Sequence, residues 1–453
     1  MQGLIQKYNV PGPRYTSYPT VPYWDLDNFS GKRYKETVKK AFDQSNEDEG
    51  ISIYIHLPFC EQMCTFCGCH KRITKRHEVE APYIRSILKE WKLYTDLFNA
   101  RPRIKELHLG GGTPTFFSPS NLEILINGIF RKAVKSPGFE FSFEGHPNNT
   151  TKEHLQTLFD LGFKRVSFGV QDYSVRVQEA IHRIQPYEHV KRVTDWSREI
   201  GYKSVGHDLI YGLPHQTVGD VERTVSITRK LRPDRIAYYS YAHVPWLKGN
   251  GQRGFKDDDL PSADDKRRLY ERGSELLMDI GYQEIGMDHF ALKPDALYKA
   301  MTNGTMHRNF MGYTASKTHL LVGLGASSIS DSWFGFAQNV KGVEEYEHLV
   351  STGLFPIYRG HILSREDEII RRHILNLMCR FKTSWYEDNQ GFEGLNEVLE
   401  RLGEMKSDGL VNIKPFELEV TERGRPFIRN ACMAFDLHLH RKAPDTQLFS
   451  MTI

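Results

Sequence analysis

Four of the six cysteines fall within ten residues of one another, at Cys60, Cys64, Cys67 and Cys69. The first three have the spacing C-x3-C-x2-C, and three thiolates are one ligand fewer than the four irons of a [4Fe–4S] cluster. Such a site leaves one iron open to another ligand. Electron-transfer ferredoxins bind every iron, and a structural zinc site uses four ligands, usually as two separated pairs. The spacing therefore favours an iron–sulfur cluster with one open iron.

Two other interpretations of these cysteines stay open. Cys69 with His56 or His70 could complete a cramped zinc site, and the cysteines could be a group of buried thiols that bind nothing. A disulfide framework is not expected in a long chain without an export signal. Buried thiols have no physical reason to adopt this spacing, so metal binding is the favoured interpretation.

The composition is that of a globular protein and restricts its partners. The 453 residues are 39% hydrophobic and 26% charged, which is enough for two or three domains. A formal net charge of +3 is too small to indicate binding to nucleic acid or to an anionic membrane. The N-terminus lacks the pattern of a signal peptide, and no stretch approaches the roughly 18 apolar residues of a membrane span. We therefore expect a cytoplasmic protein without nucleic-acid or membrane partners.

Short apolar runs alternate with helical patterns through the first half of the chain, which predicts a parallel sheet covered by helices. This α/β sheet is expected to be either doubly wound or a partial barrel, with the active site at the carboxyl ends of its strands. The cysteines, a glycine run at 110–112, Glu144, Gln171 and Asp208 come at or near the ends of the first five strands. The six predicted strands lie at 51–55, 106–109, 139–143, 165–170, 204–211 and 235–241.

The second half of the chain is less regular until Ser364, where Ser364-Arg-Glu-Asp367 has the pattern of a helix N-cap. A helical stretch near 395–405, a hairpin near 409–421 and a last helix after Gly424 resemble a small winged-helix unit. Because 393–422 is rich in acids, a structural or lid role is favoured over DNA binding. The predicted regions are an N-terminal arm (1–48), a partial barrel (49–250), a barrel extension with substrate-site loops (251–360) and a mostly helical, winged-helix-like domain (361–453).

The cysteine spacing resembles the signature of the radical S-adenosylmethionine superfamily. Phe66 stands before the third cysteine, where the superfamily has an aromatic residue, and the glycines at 110–112 are similar to its segment that binds the methionyl amino group. The superfamily fold is a partial barrel of six strand–helix units, in agreement with the six predicted strands. The resemblance implies that Cys60, Cys64 and Cys67 hold a [4Fe–4S] cluster whose open iron chelates S-adenosylmethionine.

Longer segments resemble one family within this superfamily, the oxygen-independent coproporphyrinogen III oxidases (dehydrogenases). Its hallmark is the additional cysteine in Cys67-Gly68-Cys69. The arm sequence KYNVPGPRYTSYP at 7–19 and HRNF at 307–310 separate this family from its relatives, which include a heme chaperone with the same three cysteines. Further similar segments are HLGGGTPT at 108–115, GVQD at 169–172, DLIYGLP at 208–214, GMDHF at 286–290 and IRN at 428–430.

The family resemblance implies a reaction as well as a fold. Members convert two propionates of coproporphyrinogen III to vinyl groups, which gives protoporphyrinogen IX in heme biosynthesis. A 5′-deoxyadenosyl radical removes the propionate hydrogen, so no side chain is expected to act as a catalytic acid or nucleophile. The resemblance also implies a low-potential electron donor such as flavodoxin or ferredoxin, and we expect a monomer.

Family members bind two S-adenosylmethionine molecules, and the positions around them can be transferred to this chain. For substrate binding, Arg14 and Arg308 are the expected propionate contacts, and Cys69 either assists substrate or electron handling or only packs. The positions matching the first molecule are Tyr54, Gly111, Glu144 and Ile329, and those matching the second are Phe66, Gly112, Thr113, Gln171, Arg183, Asp208 and Ala242.

One segment departs from the family pattern. Where members commonly continue Glu-Val-Asp-Pro-Arg, this chain reads EGHPN at 144–148, which removes an acid and a base from the expected rim of the site. The departure concerns substrate placement more than cofactor binding. A related radical enzyme of anaerobic heme breakdown therefore stays open as an alternative. Two hypotheses of other classes also stay open: a tetrapyrrole-binding heme chaperone without turnover, and a zinc protein that binds nucleic acid, against which the small net charge counts.

Overall fold

The structure is a computed structural model that describes residues 2–245, 251–252, 254–387, 390–442 and 448–452. Helices and strands alternate over most of this length. The helices are α1 (Gln2–Tyr8), α2 (Gly31–Ser45), α3 (Glu80–Thr95), α4 (Pro119–Phe130), α5 (Lys152–Leu161), α6 (Val175–Ala180), α7 (Tyr187–Ile200), α8 (Val218–Leu231), α9 (Ala263–Asp279), α10 (Ala296–Thr302), α11 (Val343–Ser351), α12 (Arg365–Arg380), α13 (Leu395–Arg401), α14 (Gly403–Ser407), α15 (Ile428–Phe435) and α16 (Leu437–Arg441).

The strands form one large sheet and three small ones. They are β1 (Ile51–Leu57), β2 (Phe59–Cys60), β3 (Arg72–Ile73), β4 (Arg103–Gly111), β5 (Val134–Gly145), β6 (Phe163–Gln171), β7 (Ser204–Tyr211), β8 (Arg235–Ser240), β9 (Gln283–Gly286), β10 (His289–Ala291), β11 (His307–Asn309), β12 (Gly312–Thr314), β13 (Leu321–Leu324), β14 (Ile329–Asp331), β15 (Gly335–Asn339), β16 (Ile357–Ile362), β17 (Lys382–Ser384), β18 (Val411–Lys414) and β19 (Glu417–Val420).

The six strands predicted from the sequence are all present as β1, β4, β5, β6, β7 and β8, and they lie side by side in that order. Neighbouring strands in this series are parallel, with helices in the connections between them. Parallel strands joined in this way place their carboxyl ends along one edge. The predicted α/β partial barrel is therefore confirmed, and its edge gathers the residues that follow the strands.

The region between residues 250 and 360, which the sequence left unspecified, extends this sheet at both ends. The full order is β16-β15-β14-β13-β1-β4-β5-β6-β7-β8-β10-β9. Strand β13 is parallel to β1, whereas the other added strands pair antiparallel. These strands have three to six residues each, too few for a clear alternation of apolar and polar residues.

The C-terminal region has the predicted order of elements, with one strand more. Ser364 caps α12, because its hydroxyl accepts from the Asp367 backbone N–H at 3.1 Å while the Asp367 carboxylate accepts from the Ser364 N–H at 2.9 Å. The predicted hairpin is β18–β19, and β17 adds a third strand to it. Tyr8, Tyr15 and Tyr18 of the arm pack into the core of this region rather than into the barrel. Among the described residues, no helix is both long and apolar enough to cross a membrane.

Candidate active site

The cysteines lie on a loop held closed at its base by two short parallel strands. Between β2 and β3, the Arg72 N–H donates to the Pro58 carbonyl at 2.7 Å and the Thr74 N–H donates to the Cys60 carbonyl at 2.9 Å. Within the loop, Cys64 is buried, Cys60 and Cys67 are half-buried, and Cys69 is exposed. All four thiols line one cavity of about 410 Å³. This size is within the range of small-molecule sites.

The spacing of the thiols distinguishes a cluster from a single metal ion. Zn–S bonds of about 2.3 Å in a tetrahedron put sulfurs about 3.8 Å apart. In the described part of the chain, the one group of three ligating side chains whose ligand atoms all lie within 4.8 Å of one another is His361, Asp367 and His438. The thiols form no such group. No three of the described ligands at the thiols are therefore close enough to share one zinc ion, and a multi-iron cluster is the metal group that uses thiolates farther apart.

Both ring nitrogens of His56, one of the two histidines that could complete a zinc site, are already hydrogen-bonded. The His56 Nε2–H donates to the His70 carbonyl at 3.0 Å, and its Nδ1 accepts from the Tyr54 hydroxyl at 3.1 Å. Burial lowers the pKa of His56 to about 4. With both ring nitrogens engaged, His56 positions Tyr54 instead of offering a lone pair to a metal.

Hydrogen bonding and burial affect the thiols unequally. Burial raises the pKa of the Cys60 thiol to about 11, and its Sγ lies 3.3 Å from the Thr113 hydroxyl. A side-chain hydrogen bond from Cys69 lowers the pKa of Cys67. A cluster binds thiolates, so its iron must displace a proton from Cys60. Cys69 thus contacts one of the expected ligands directly.

The glycine run brings the end of β4 against the cysteine loop. The Gly112 N–H donates to the Leu57 carbonyl at 2.9 Å. A Cβ at Gly112 would lie 2.6 Å from the backbone of Pro58, and Gly111 has a left-handed φ of +114°. Only glycine permits this approach, because a side chain would collide with the loop. The absence of side chains leaves backbone groups facing the cavity.

Polar side chains at the ends of the next three strands complete the wall. Glu144 of β5 is bonded by the Gly111 N–H at 3.4 Å, and its other oxygen lies 3.3 Å from His108 Nε2. Gln171 ends β6 with a left-handed φ of +69°. Asp208 of β7 accepts from the Ser167 hydroxyl at 2.9 Å, and burial raises the pKa of Asp208 to about 7.

Arg183 crosses the cavity toward the cysteine loop. Its Nη2 donates to the Gly169 carbonyl at 2.8 Å, its Nε donates to the Gln185 side-chain oxygen at 3.2 Å, and its Nη1 lies 3.6 Å from Cys64 Sγ. No carboxylate among the described residues forms an ion pair with it. The guanidinium is thus held by neutral acceptors, with its charge free to meet an anion.

The structure brings eight of the eleven expected cofactor residues to this one cavity. Tyr54 instead stacks on His108 at 6.0 Å between ring centroids. The Ala242 carbonyl accepts from Gln252, which also donates to the Phe66 carbonyl. Ile329 packs beside Trp24. The eight that line the cavity are Phe66, Gly111, Gly112, Thr113, Glu144, Gln171, Arg183 and Asp208.

Sequence reasoning did not single out Tyr239, which also lines the cavity. It lies on β8, whose residues carry no local motif. The unusual segment after Glu144 contributes His146 and Asn148 to the same wall. Asn148 is fixed there, because its amide donates to the Ile184 carbonyl at 2.9 Å and its oxygen lies 2.9 Å from His189 Nδ1. The departure from the family pattern is therefore at the rim of the cavity, as expected.

Known proteins resemble this chain along nearly its whole length. The family model of the Radical SAM superfamily matches residues 54–227. The oxygen-independent coproporphyrinogen III oxidase of Helicobacter pylori is 39% identical over 96% of both chains. The enzyme of the same name from Synechocystis is 38% identical over 99% of this chain and 97% of its own.

A solved structure agrees with these sequence relatives. The coproporphyrinogen III oxidase of Escherichia coli, described as a radical SAM enzyme, superposes with a TM-score of 0.90 at 35% identity, over 97% of this chain and 99% of that one. The thiol-lined cavity at the carboxyl edge and the relatives that match from end to end lead to one assignment. The chain belongs to the oxygen-independent coproporphyrinogen III oxidase family of the radical SAM superfamily.

Proposed function

We propose that this chain oxidises coproporphyrinogen III without oxygen, converting two propionates to the vinyl groups of protoporphyrinogen IX with loss of carbon dioxide. The observation that carries this conclusion is the end-to-end match to relatives named for that activity, at 38–39% identity. The thiol-lined cavity supplies a site where such chemistry can take place. The protein is therefore an oxidoreductase of heme biosynthesis.

The residues of this chain bind and enclose the reacting groups. A [4Fe–4S] cluster with S-adenosylmethionine supplies, when bound, the one-electron chemistry that removes a hydrogen atom from an unactivated propionate carbon. Cys60, Cys64 and Cys67 are the proposed thiolate ligands of the cluster. The walls of the cavity limit the access of water, which protects reactive species. This assignment requires no side chain to act as an acid or a nucleophile.

We place two S-adenosylmethionine molecules at this cavity. Glu144, with its carboxylate half-exposed, suits an ammonium or ribose hydroxyls of the first, and Asp208 suits the same groups of the second. Arg183 is proposed to bind a carboxylate of the second, because no ion pair in the described residues occupies it. The assignment is supported by the convergence of both residue sets on one cavity. Tyr54, Ile329 and Ala242 are proposed as its outer members.

Arg308 is the stronger of the two proposed propionate contacts. It is 5% exposed, yet its Nε and Nη1 have no hydrogen-bond partner among the described residues. Its Nη2 donates to the Arg14 carbonyl at 3.3 Å, and the guanidinium lies 4.5 Å from the Tyr313 ring. Buried donors without acceptors are costly, so a substrate carboxylate would satisfy them. Arg14 already pairs with Asp288 at 2.7 Å.

The remaining proposals concern partners and organisation. A low-potential donor such as a flavodoxin or ferredoxin would deliver electrons, and the exposed Cys69 places the cysteine loop at the surface. We propose a monomer that acts without nucleic acid or membrane. Two of the four regions proposed from the sequence, the barrel and the C-terminal domain, are supported by their separate cores, and the arm packs into the second of these cores. The boundary at residue 250 lies outside the described residues.

The decisive experiment is anaerobic turnover with analysis of product masses. Reconstituted protein is incubated with coproporphyrinogen III, S-adenosylmethionine and a reductant. The expected product has lost two carbon dioxide molecules together with two pairs of hydrogens, and the protein contains iron rather than zinc. A methylated tetrapyrrole would indicate an enzyme of heme breakdown, and tight heme binding without any product would indicate a chaperone. Either result would contradict the proposed reaction.

A further inference from the structure

A second, smaller cavity lies where the carboxyl edge of the barrel meets the C-terminal region. Its volume is about 50 Å³, several times the roughly 10–15 Å³ that one water needs, so a carboxylate group fits it. Seven charged side chains line it, and four of these come from four separate parts of the chain: Arg14 from the arm, Lys266 from α9, Asp288 from the turn between β9 and β10, and Arg429 from α15. We call this the cationic cavity.

The charges around the cationic cavity do not balance. Arg14 pairs with Asp288 at 2.7 Å. Lys266 and Arg429 form no ion pair with any carboxylate in the described parts of the chain. Two further arginines line the cavity, Arg267 and Arg425. They pair with Glu271 and Glu422, which lie outside it. Glu284 also lines the cavity, where it accepts from the Tyr270 hydroxyl at 2.8 Å and forms no ion pair in the described residues. The lining therefore has one positive charge more than it has counter-ions, which is electrostatically unfavourable in a confined space.

Lys266 is held in place with unused hydrogen-bonding capacity. Its Nζ donates to the Tyr241 carbonyl at 2.9 Å, which uses one of the three N–H donors of an ammonium. Its aliphatic stem lies against Gly212, where a Cβ would be only 3.0 Å from Cε. Gly212 also has a left-handed φ of +82°. The turn after β7 thus makes room for this lysine.

The guanidinium of Arg429 contributes positive charge, but each of its three nitrogens is already hydrogen-bonded. Its Nε donates to the Pro13 carbonyl at 2.9 Å and its Nη1 donates to the Met451 carbonyl at 2.8 Å. Its Nη2 bonds further carbonyls of the arm and the C-terminal tail. Burial lowers the pKa of Arg429 to about 9, and burial together with Arg14 and Arg429 lowers the pKa of Lys266 to about 8. Carbonyls orient the guanidinium but leave its charge unneutralised.

The cationic cavity adjoins the thiol-lined cavity along the strand ends. On β8, Tyr239 lines the thiol cavity and the next residue, Ser240, lines the cationic cavity. On β7, Asp208 belongs to the first and Tyr211 to the second. The Tyr239 hydroxyl donates to His289 Nε2 at 3.3 Å, which fixes this ring in the wall of the thiol cavity. Successive residues of a strand point to opposite faces of a sheet. The two cavities therefore lie on opposite faces at the same strand ends, and a ligand that binds in both must extend across this edge.

We propose that the cationic cavity is a carboxylate subsite, in which Lys266 binds one propionate of the tetrapyrrole and Arg429 compensates its charge. The inference rests on the proposed function, because that substrate carries two propionates that react and two that the product keeps. A reacting propionate must reach the thiol cavity. The carboxylate bound by Lys266 is thus one that is retained.

Porphyrin binding tests this subsite without turnover. The full chain is titrated with coproporphyrin III, and binding is followed by quenching of porphyrin fluorescence. Lys266→Met should weaken binding about tenfold to a hundredfold, the effect of losing a hydrogen bond to a charged group. The matched control is Arg268→Met on the same helix, because Arg268 is 68% exposed and Asp265, at 3.5 Å, is its one ion-pair partner in the described residues. The control should bind like the wild type.

A second porphyrin identifies the propionate that is bound. Protoporphyrin IX has the two retained propionates and lacks the two that react. Lys266→Met should weaken binding of protoporphyrin IX and coproporphyrin III by the same factor. An effect on coproporphyrin III alone would place a reacting propionate at Lys266 and overturn the assignment.

Stability separates a binding role from a packing role. Lys266→Met removes a positive charge from a cavity that has positive charge in excess. The ligand-free variant should therefore unfold at the same temperature as the wild type or at a higher one. A lower unfolding temperature with unchanged porphyrin affinity would overturn the proposal. The proposed reaction and the subsite can fail separately. If the wild type shows no turnover but its porphyrin binding depends on Lys266, only the proposed reaction is contradicted. If Lys266→Met turns over normally with an unchanged KM, only the subsite is contradicted.

Discussion

The two cavities at the carboxyl edge of the barrel are neighbours with opposite chemical character. The thiol-lined cavity combines cysteines and glycines with the acids Glu144 and Asp208. The cationic cavity has an excess of positive charge from Lys266 and Arg429. The first is eight times the volume of the second, at about 410 and 50 Å³. One is suited to hold cofactors and a reacting carbon, and the other to hold an anion that does not react.

This separation has a chemical advantage for a substrate with several identical side chains. All four propionates have the same charge, so charge alone cannot select those that react. An anion site outside the thiol-lined cavity fixes the orientation of the ring. It thereby decides which propionates lie beside the cofactors. Recognition of the retained propionate is kept away from the thiolates, whose own negative charge would compete for the same cations.

The largest effect is expected from removing a cluster ligand. Cys64→Ala should abolish bound iron and product, because two remaining thiolates hold a cuboidal cluster poorly. Iron content and product formation are measured after anaerobic reconstitution. Cys379→Ala is the control, since Cys379 is buried in a separate apolar cluster, and it should keep both properties. Activity in the Cys64→Ala protein would reject the ligand assignment.

Arg183→Ala should stop turnover while leaving the cluster in place. Loss of the guanidinium should cost about 1.5–3 kcal/mol of binding free energy for the second S-adenosylmethionine, the range for a hydrogen bond to a charged group. Iron content, bound S-adenosylmethionine per chain and product are measured on one preparation. Arg183→Lys should restore part of the binding, since lysine retains the positive charge but lacks the paired N–H donors of a guanidinium. Full product formation with a single bound cofactor would contradict the two-molecule proposal.

A smaller effect should come from the glycine run. In Gly112→Ala, the added Cβ must displace the Pro58 backbone, 2.6 Å away, and overpacking of this kind costs about 1–3 kcal/mol. We expect reduced iron content with unchanged affinity for coproporphyrin III, because the cationic cavity is untouched. Gly68→Ala is the matched control in the same loop region, where a Cβ meets nothing within 4 Å. Equal iron content in the two variants would show that close packing at Gly112 is unimportant.

The smallest effect concerns pH. The pKa of Lys266 is about 8, and only its protonated form attracts a carboxylate, so porphyrin affinity should be full below that pH and fall as pH rises through it. Burial lowers the pKa of Arg429 as well, but a guanidinium keeps its proton at these pH values, so the loss of charge is that of Lys266. In Lys266→Met, this decrease of porphyrin affinity with rising pH should be absent. A pH profile identical in both proteins would contradict the role of Lys266. The other titratable and charged side chains that face it are Arg14, Tyr211, Arg267, Tyr270, Glu284, Asp288 and Arg425.

The same contrast explains what could be predicted from the sequence. The thiol cavity begins with three cysteines and an aromatic residue inside one short loop, and spacing along the chain reveals such a local site. The side chains of Glu144 and Asp208 could also be predicted to lie near each other, because parallel strands have their carboxyl ends along one edge of the sheet. The barrel strands were predicted from short apolar runs that alternate with helical patterns.

The cationic cavity could not be found in this way. Its four main side chains come from the arm, α9, the β9–β10 turn and α15, so no spacing in the sequence connects them. The strands around that turn are three or four residues long and carry no clear pattern. Arg14 was expected to contact a propionate, but its pairing with Asp288 depends on packing of the arm, which the sequence does not display.

The most direct test of the separation between chemistry and recognition compares Cys64→Ala with Lys266→Met in one experiment. Coproporphyrin III affinity and anaerobic product formation at saturating coproporphyrinogen III are measured for both proteins. We predict that Cys64→Ala binds the porphyrin like the wild type but forms no product, whereas Lys266→Met binds weakly yet forms product once saturated. If both variants lost binding and product together, the two cavities would act as one site and the account would be wrong.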